Sequence, residues 1–341
     1  MLLVFKQTNI TNTLLNIPSI EYFIHGIFYL NKKNIRRKEY LHFMIYSEDT
    51  LQFWTSPLSN TEEQRVENTV SMIKNAVTTY SELSSCTMEI FAQGSYANNT
   101  NVRQNSDVDI CIMLTSTFFG EYIDGKTAAD YGFVDGSISY ADYKSHIIQA
   151  LKNKFGSNAV EIGNKCINIK ENSYYVNSDV VPAFQYRNYK TIGSINREKY
   201  IEGIKYFAQD DTTIINYPKE HIKNGRQKNN STNYEYKKLV RIMKRIRNNM
   251  VDEGIIDGNK ITSFLVECLI WNVPNATITG YNTWADTVQN SIAYLWNTIK
   301  DDNCKEWGEV SEHLYLFHSR RKWTVTETKN FLYDMYNYLK F

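Results

Sequence analysis

Two aspartates downstream of a glycine–serine pair are the residues of this 341-residue chain best suited to chemistry. Asp107 and Asp109 are two positions apart, so on a β-strand their side chains point from the same face. Gly94 and Ser95 precede them, and a Gly-Ser turn can hold a phosphate with its backbone N–H groups. Paired carboxylates can bind divalent cations beside that phosphate. The arrangement predicts a metal-dependent nucleotidyl-transfer site.

Asp179 is the candidate for a third acidic ligand. Two-metal phosphoryl transfer needs cations ~4 Å apart, and two carboxylates of one strand cannot easily hold both. Asp179 lies in the β-rich segment YYVNSDVVPAF, where Tyr175, Asn177 and Asp179 would share one face of a strand. The alternative interpretations are that Asp107 and Asp109 are solvated strand acids, and that Asp179 is a turn residue.

Two predicted strands position the Gly-Ser pair and the aspartates. The run TMEIFAQGS indicates a strand that enters the Gly-Ser turn, and residues 106–114 are predicted to form the next strand. On that strand Val108, Ile110 and Ile112 lie on the face opposite the two aspartates. Residues 160–184 indicate two or more further strands, which end at Pro182.

Helical spacing of apolar residues predicts the elements around these strands. Residues 59–62 match a capping box, and the apolar residues from Val66 to Tyr80 then repeat every three or four positions. Beyond about residue 190 the pattern becomes mostly helical, and the polar stretch 223–233 is predicted to be a loop between the halves. The further predicted helices are 141–155, 234–250, 261–272, 283–299 and 324–340.

Composition limits the class of protein. The chain carries 38 basic and 37 acidic residues, and a net charge of +1 gives no general electrostatic signal for nucleic-acid binding. Its 5 cysteines are widely separated, as expected for free thiols in a reducing cytosol. No apolar run reaches the ~20 residues that a membrane helix needs. We therefore expect a cytoplasmic protein.

The segment GSYANNTNVRQNSDVDI (94–110) resembles the signature of polymerase-β-like nucleotidyltransferases. More specifically, it resembles the bacterial cGAS/DncV-like enzymes (CD-NTases) of CBASS anti-phage defence, which are relatives of oligoadenylate synthase. Further blocks are similar in the same order along the chain, so the resemblance covers about residues 44–340. These blocks are 51–77, VNSDVVPAF, 217–248 and 261–274.

The resemblance implies an α+β fold of two lobes. One lobe would be a polymerase-β-like nucleotidyltransferase core, a mixed sheet with flanking helices. The other would be a C-terminal helical half like that of oligoadenylate synthase. The corresponding domains are an N-terminal extension at 1–43, a catalytic core at 44–190, and a helical domain at 191–341 that completes the nucleotide pocket. Residues 1–43 are interpreted either as an extra helical arm or as an upstream extension of the reading frame.

The resemblance also implies roles for single residues. Asp107 and Asp109 would hold two Mg²⁺ ions, with Mn²⁺ able to substitute, and Asp179 would complete the site and act on the attacking hydroxyl. The nucleotide would contact five residues: Gly94, Ser95, Lys244 and Ser263 at the triphosphate, and Phe264 by stacking on a base. Phe264 as ordinary core is the alternative for that residue. The other basic residues of 237–247 are interpreted as a solvated or phosphate-facing helix surface.

One departure from the family pattern lies in the turn after Gly94. Many relatives have a glycine before the threonine of this turn, whereas here Asn98 and Asn99 precede Thr100. Asparagine tolerates a positive φ better than most residues, so we expect the turn to be preserved.

By this resemblance the chain makes a cyclic di- or trinucleotide from ATP, GTP or other NTPs and releases pyrophosphate. Its diffusible product would reach a downstream effector, and a regulatory protein is left open as a partner. Neither a membrane nor a stable nucleic-acid partner is expected. Two alternatives remain: a linear nucleotidyltransferase acting on RNA or a small molecule, and a catalytically silent nucleotide-binding scaffold.

Overall fold

The computed structural model describes residues 44–57, 60–102 and 107–341, with backbone only for 60–62. Residues 44–341 form one compact unit. The predicted extension at 1–43 and the capping serine at 59 lie outside the described residues. No described helix is both long enough and apolar enough to cross a membrane.

A mixed sheet organises the first part of this unit. Within the described residues it has seven strands in the order β1-β2-β5-β4-β3, with β6 beside β5 and β7 beside β6. Strands β2 and β5 run parallel, and the other neighbouring pairs run antiparallel. The strands are β1 Met88–Ala92, β2 Val108–Glu121, β3 Val160–Ile162, β4 Ile167–Ile169, β5 Ser178–Asn188, β6 Ile201–Phe207 and β7 Thr213–Asn216.

Helices flank the sheet and make up most of the rest of the unit. Short 3-10 turns lie at Ser81–Leu83 and Ala128–Tyr131. The α-helices are α1 Glu48–Trp54, α2 Asn60–Thr78, α3 Gly94–Ala97, α4 Tyr140–Phe155, α5 Pro218–Ser231, α6 Glu235–Asp252, α7 Ser263–Trp271, α8 Asn275–Thr279, α9 Trp284–Lys300 and α10 Val325–Leu339. A mixed sheet with flanking helices followed by a helical part confirms the predicted fold class.

Alternation along β2 separates the buried core from the site. Val108, Ile110 and Ile112 are fully buried and pack with apolar residues of α2 and α4, as the spacing predicts. Cys111 and Met113 point to the opposite face, where they pack in a smaller cluster with residues of β5 and β6. Asp109 belongs to this second face and lies near the start of the strand. Because the apolar side is locked in place, the direction of Asp109 is fixed as well.

The helical part has its own core, centred on α6. Leu239, Ile242, Ile246 and Met250 lie on one face of α6 and are completely buried, as their spacing predicts. They pack with apolar residues of α7, α9 and α10. This packing holds α6 against the C-terminal helices.

Three regions differ from the sequence-based expectation. Strand β5, expected to end at Pro182, continues to Asn188, because Pro182 lies opposite neither β4 nor β6 and its missing N–H costs no hydrogen bond to those strands. Residues 201–216, predicted to be mostly helical, form β6 and β7 and extend the sheet beyond residue 190. The polar stretch 223–233, predicted to be a loop, lies largely in α5. Pro218 begins α5 at a position that suits proline, and tertiary contacts such as the bond from Lys228 to the Trp271 carbonyl hold the helix.

Candidate active site

Strand pairing brings two distant carboxylates together. In the parallel register of β2 and β5, Asp109 lies directly opposite Asp179. Directly paired positions on neighbouring strands point to the same side of the sheet, so the two side chains share a face. Asn168 of β4 donates a hydrogen bond to Oδ1 of Asp179 and orients that carboxylate. The sheet therefore forms a two-carboxylate centre from residues that are far apart in sequence.

Asp107 occupies a different environment from these two carboxylates. It precedes β2, is exposed, and follows residues 103–106, which lie outside the described part of the chain. It does not line the cavity that Asp109 and Asp179 line. Partial desolvation by neighbouring groups, and then repulsion from Asp179 and Glu171, raise the pKa of Asp107, so it lies within electrostatic reach of the pair.

Gly94 lies against Asp109 at the other side of the centre. Its φ is +68°, a conformation that favours glycine. A Cβ built on Gly94 would lie 2.1 Å from Asp109 Oδ2, so no larger residue fits there without displacing the carboxylate. The backbone N–H of Gln93 donates to the Asp109 carbonyl at 2.8 Å and ties the turn to β2.

The turn after Gly94 keeps its shape without a second glycine. Asn99 has a φ of +54°, a conformation that asparagine tolerates better than most residues. Asn98 donates to the Gly94 carbonyl at 2.9 Å, and the Thr100 N–H donates to the Ser95 carbonyl at 2.9 Å. These bonds hold the Gly94-Ser95 segment in a fixed position beside the carboxylates.

The electrostatics of the centre suit a cation. Burial, and then repulsion from Asp179 and Asp107, raise the pKa of Asp109 to about 7, and Lys244 opposes the rise. A divalent cation would relieve this repulsion, and carboxylate oxygens are the ligands that hard cations prefer. Among the residues that the structure describes, no group of three or more His, Cys, Asp or Glu side chains is arranged to hold a metal. The donors present, two adjacent carboxylates, fit a cation whose remaining ligands are the phosphates of a bound nucleotide.

A cavity of about 400 Å³ extends from the carboxylates to the helical part. It brings together seven of the eight residues predicted from sequence; Asp107 is the exception. From the sheet side come Gly94, Ser95, Asp109 and Asp179, and from the helices come Lys244, Ser263 and Phe264. A cleft of this size, with carboxylates at one end and an aromatic ring at the other, can hold nucleotides.

The three predicted helical residues differ in accessibility. Ser263 begins α7 and is exposed, with Thr262 capping the helix before it. Phe264 is half-buried, with the Arg321 guanidinium 5.1 Å from its ring centre and the His221 ring 5.8 Å away. Lys244 is only 2% exposed. Phe264 thus combines core contacts with a surface on the cavity.

The basic residues of α6 are expected to form a solvated or phosphate-facing surface, and the solvated alternative is wrong for three of them. Lys237, Arg241 and Arg247 are buried. Arg241 donates from Nε to the Thr55 carbonyl at 2.7 Å and also donates to the Asn99 carbonyl. Backbone carbonyls therefore compensate the charge of Arg241, and those of Gly258 and Ile261 accept from Arg247. Sequence spacing cannot identify such partners, because they carry no residue-type signal.

Sequence reasoning missed several polar residues of the cavity. His221, Glu267, Glu309 and Arg321 all line it, and Glu309 forms an ion pair with Arg321. Glu267 had a signal, since it is the one charged residue in the apolar helix SFLVECLIW. A buried charge needs a partner, and that requirement could have marked Glu267 as part of a site.

Comparison with known proteins identifies the family. Residues 73–240 match the family model of the nucleotidyltransferase domain. Residues 223–340 match the model of the cGAS/DncV-like nucleotidyltransferase C-terminal helical domain. Together the two matches include β1 to β7 and most of the helical part.

Curated relatives and solved structures agree with these matches. A cyclic dipyrimidine nucleotide synthase CdnE of Cecembia lonarensis is 44% identical over 87% of this chain and 99% of that protein. A synthase of the same description from Legionella pneumophila is 38% identical over 86% and 98%. The Rhodothermus marinus CdnE c-UMP-AMP synthase, solved with Apcpp and Upnpp, superposes with a TM-score of 0.76 at 29% identity, covering 85% and 95% of the two chains. The resemblance noted at 94–110 is thereby confirmed, and the chain belongs to the cGAS/DncV-like nucleotidyltransferase family of enzymes.

Proposed function

We propose that this nucleotidyltransferase joins NTPs into a cyclic di- or trinucleotide and releases pyrophosphate. The observation that carries the proposal is the pairing of Asp109 with Asp179 beside Gly94, within one cavity that also reaches Phe264. The curated relatives are cyclic nucleotide synthases, although their products range from dipyrimidine to dipurine. This range leaves the bases of the product to experiment.

In each round a ribose hydroxyl of one nucleotide attacks the α-phosphorus of another. The new P–O bond forms as the bond from the α-phosphorus to its bridging oxygen breaks, and pyrophosphate leaves with that electron pair. Asp179 is the proposed acceptor of the hydroxyl proton, through Oδ2, since Oδ1 already accepts from Asn168. A last transfer within the linear intermediate closes the ring.

Family nucleotidyltransferases use divalent metal ions, and we propose Mg²⁺, with Mn²⁺ able to substitute. Asp109 and Asp179 would hold the metal, and Asp107 is the proposed ligand of a second ion. The ions would lower the pKa of the attacking hydroxyl and neutralise charge on the phosphates. We propose that the backbone N–H groups of Gly94 and Ser95 and the Lys244 ammonium hold the leaving phosphates, and that Phe264 stacks on a base.

The product would act as a diffusible messenger that reaches an effector in CBASS anti-phage signalling, with a regulatory protein as a further partner. We place the enzyme in the cytoplasm because its proposed substrates are there. A linear product and a silent scaffold stay open as alternatives. The net charge of +1 gives no general support to an RNA substrate.

The test is a product assay with the full chain. Purified protein is incubated with each pair of α-labelled ATP, GTP, CTP and UTP in the presence of Mg²⁺ or Mn²⁺. The products are treated with alkaline phosphatase, and their masses are measured by mass spectrometry. A cyclic product resists the phosphatase and has a mass without terminal phosphates. A product that the phosphatase shortens would support the linear alternative. Nucleotide binding without turnover in any pair would support the scaffold and overturn the proposal.

A further inference from the structure

Glu267 is a buried carboxylate of the cavity to which the proposed reaction assigns no role. It lies on α7, is 3% exposed, and still lines the cavity. Its two oxygens bind three side chains from three separate elements. Oε2 accepts from the Lys244 ammonium and from the Thr100 hydroxyl at 2.8 Å, and Oε1 lies 2.9 Å from Nε2 of His221. Glu267 thus joins α5, α6 and α7 to the turn that follows Gly94.

Thr100 and Lys244 are also bonded directly to each other. The Lys244 ammonium donates to the Thr100 hydroxyl at 3.1 Å, and Thr100 is fully buried. An ammonium has three N–H donors, and Glu267 and Thr100 take two of them. Lys244 lines both the large cavity and a smaller one of about 190 Å³, and Ser95 and Ser263 line both cavities as well. The remaining donor is therefore close to the surfaces that a nucleotide phosphate would contact.

The charges of this group balance within the protein. Burial favours the neutral form of Glu267, but the Lys244 ammonium and the hydrogen bond to His221 more than offset this and hold its pKa below the ordinary value. Glu267 is therefore a carboxylate beside an ammonium. A lysine side chain is a flexible four-carbon stem, so by itself it does not keep its ammonium in one place. Its ammonium stays under the Gly94-Ser95 turn because Glu267 and Thr100 hold it there.

We infer that Glu267 is a positioning residue, which fixes Lys244 and Thr100 so that Lys244 can bind the phosphates of the nucleotide. This inference rests on the proposed function, because it takes a nucleotide as the ligand of the cavity. Glu267 acts through Lys244, so its effect should depend on the number of phosphates in the ligand. A purely structural role would weaken the binding of all ligands alike.

The test measures the affinity for AMP, α,β-methylene-ADP and α,β-methylene-ATP by calorimetry in the same Mg²⁺ buffer. The methylene bridge prevents turnover at the α-phosphorus. Glu267→Ala is expected to raise the Kd of the triphosphate analogue about tenfold, because one charge-assisted hydrogen bond to the ligand is lost. The Kd of AMP should rise less than about twofold. Glu267→Gln, which keeps an acceptor for Lys244, should lose less than Glu267→Ala.

A double-mutant cycle tests whether Glu267 acts through Lys244. We define the triphosphate preference as the Kd of AMP divided by the Kd of the triphosphate analogue. Lys244→Ala and Lys244→Ala/Glu267→Ala should lower this ratio equally, so the second substitution adds nothing. Because the double variant buries neither charge alone, it keeps the test valid if Glu267→Ala does not fold. Ile292→Ala, buried in the helical core and away from the cavity, is the control for lost stability and should keep the preference.

Two results would overturn the inference: an unchanged triphosphate preference in Glu267→Ala, or additive losses in the cycle. Neither result depends on the identity of the product. If the wild-type chain bound nucleotides with the expected phosphate preference but made no cyclic product, the proposed function would fail and the inference on Glu267 would stand.

Discussion

The carboxylates of the sheet and the buried cations of α6 differ in what compensates their charge. Asp109 has two further carboxylates, Asp179 and Asp107, as its strongest charged neighbours. Arg241, by contrast, donates to two backbone carbonyls, and Lys244 is paired with Glu267. Negative charge is left in excess at the carboxylates, whereas the charge of the buried cations on α6 is compensated within the protein.

The difference separates carboxylates that need a cation from a residue such as Arg241, whose bonds to backbone carbonyls hold the fold. A cluster of like charges is unfavourable in the folded protein by itself and becomes favourable only with a counter-ion. Buried cations with satisfied hydrogen bonds are part of the packed structure, and their loss destabilises it. Substitutions in the two groups should therefore affect different quantities.

The largest effect is expected at the carboxylate centre. Asp109→Asn should reduce product formation by about a thousandfold or more, because it removes a proposed metal ligand and its charge. Because burial and the neighbouring charges of Asp179 and Asp107 disfavour the charged form of Asp109 in the fold, the melting temperature should stay equal or rise. Labelled-nucleotide turnover and thermal unfolding measure the two quantities.

Chelation is the matching control for this variant. EDTA should abolish the activity of the wild-type enzyme, and added Mn²⁺ should restore it. Turnover that persists in Asp109→Asn at more than a few per cent of the wild-type rate would contradict the role given to these carboxylates.

Gly94→Ala should have the next largest effect. The new methyl group would displace the Asp109 carboxylate, and Ala is strained at the positive φ of this residue. A misplacement of about 1 Å at reacting groups costs on the order of a hundredfold in rate. Gly132→Ala also has a positive φ but meets no atom within 4 Å, so it is the control for strain alone. Equal losses of activity in both variants would rule out the clash as the cause.

Arg241→Met tests a buried cation whose charge is compensated within the protein. It removes two hydrogen bonds and leaves the Thr55 and Asn99 carbonyls without this donor, which should lower the free energy of unfolding by about 2–4 kcal/mol. Urea unfolding measures the change. Lys238→Met, on the same helix and half-buried, is the control and should change stability by less than about 0.5 kcal/mol. A larger loss of stability in the control would contradict the assignment.

The smallest effect is a pH dependence at Lys228. Burial lowers the pKa of this residue to about 8, while it donates to the Trp271 and Val273 carbonyls. Between pH 8 and the unfolded pKa of about 10.4, the unfolded chain binds more protons than the folded one, so stability rises with pH. Relative to Lys228→Met, the wild type should gain at most about 1.4 kcal/mol per pH unit from pH 8 to 10. A difference that stays constant over this range would exclude a lowered pKa.

Local patterns predicted the parts of the fold that depend on side-chain periodicity. The alternation of Val108, Ile110 and Ile112 against Asp109, and the apolar face of α6, follow from spacing alone. Asp179 was expected beside Asp109 because a β-rich flank surrounds it, and the register of β2 and β5 agrees. The catalytic roles given to these aspartates stay predictions until the variants are measured.

The remaining features depend on tertiary contacts that spacing does not encode. Helix α5 has a polar composition typical of a loop, but contacts such as those of His221 and Lys228 hold it as a helix. The domain boundary at residue 190 also stays a prediction, although β6 and β7 continue the sheet to Asn216. The partners of Glu267 come from three distant segments, so no local pattern could name them.

The parallel pairing of β2 with β5 also leads us to expect an order of events when the chain folds. The β1–β2 hairpin can close early, because its strands are neighbours in sequence, whereas β5 docks on β2 only after the long crossover through α4. Contacts between distant segments form slowly, since closing a long loop costs entropy before any contact rewards it. Asp109 and Asp179 meet only at that late step. During synthesis, a chain that ends before β5 therefore lacks half of its carboxylate pair. We expect no nucleotide chemistry until the ribosome has synthesised this strand.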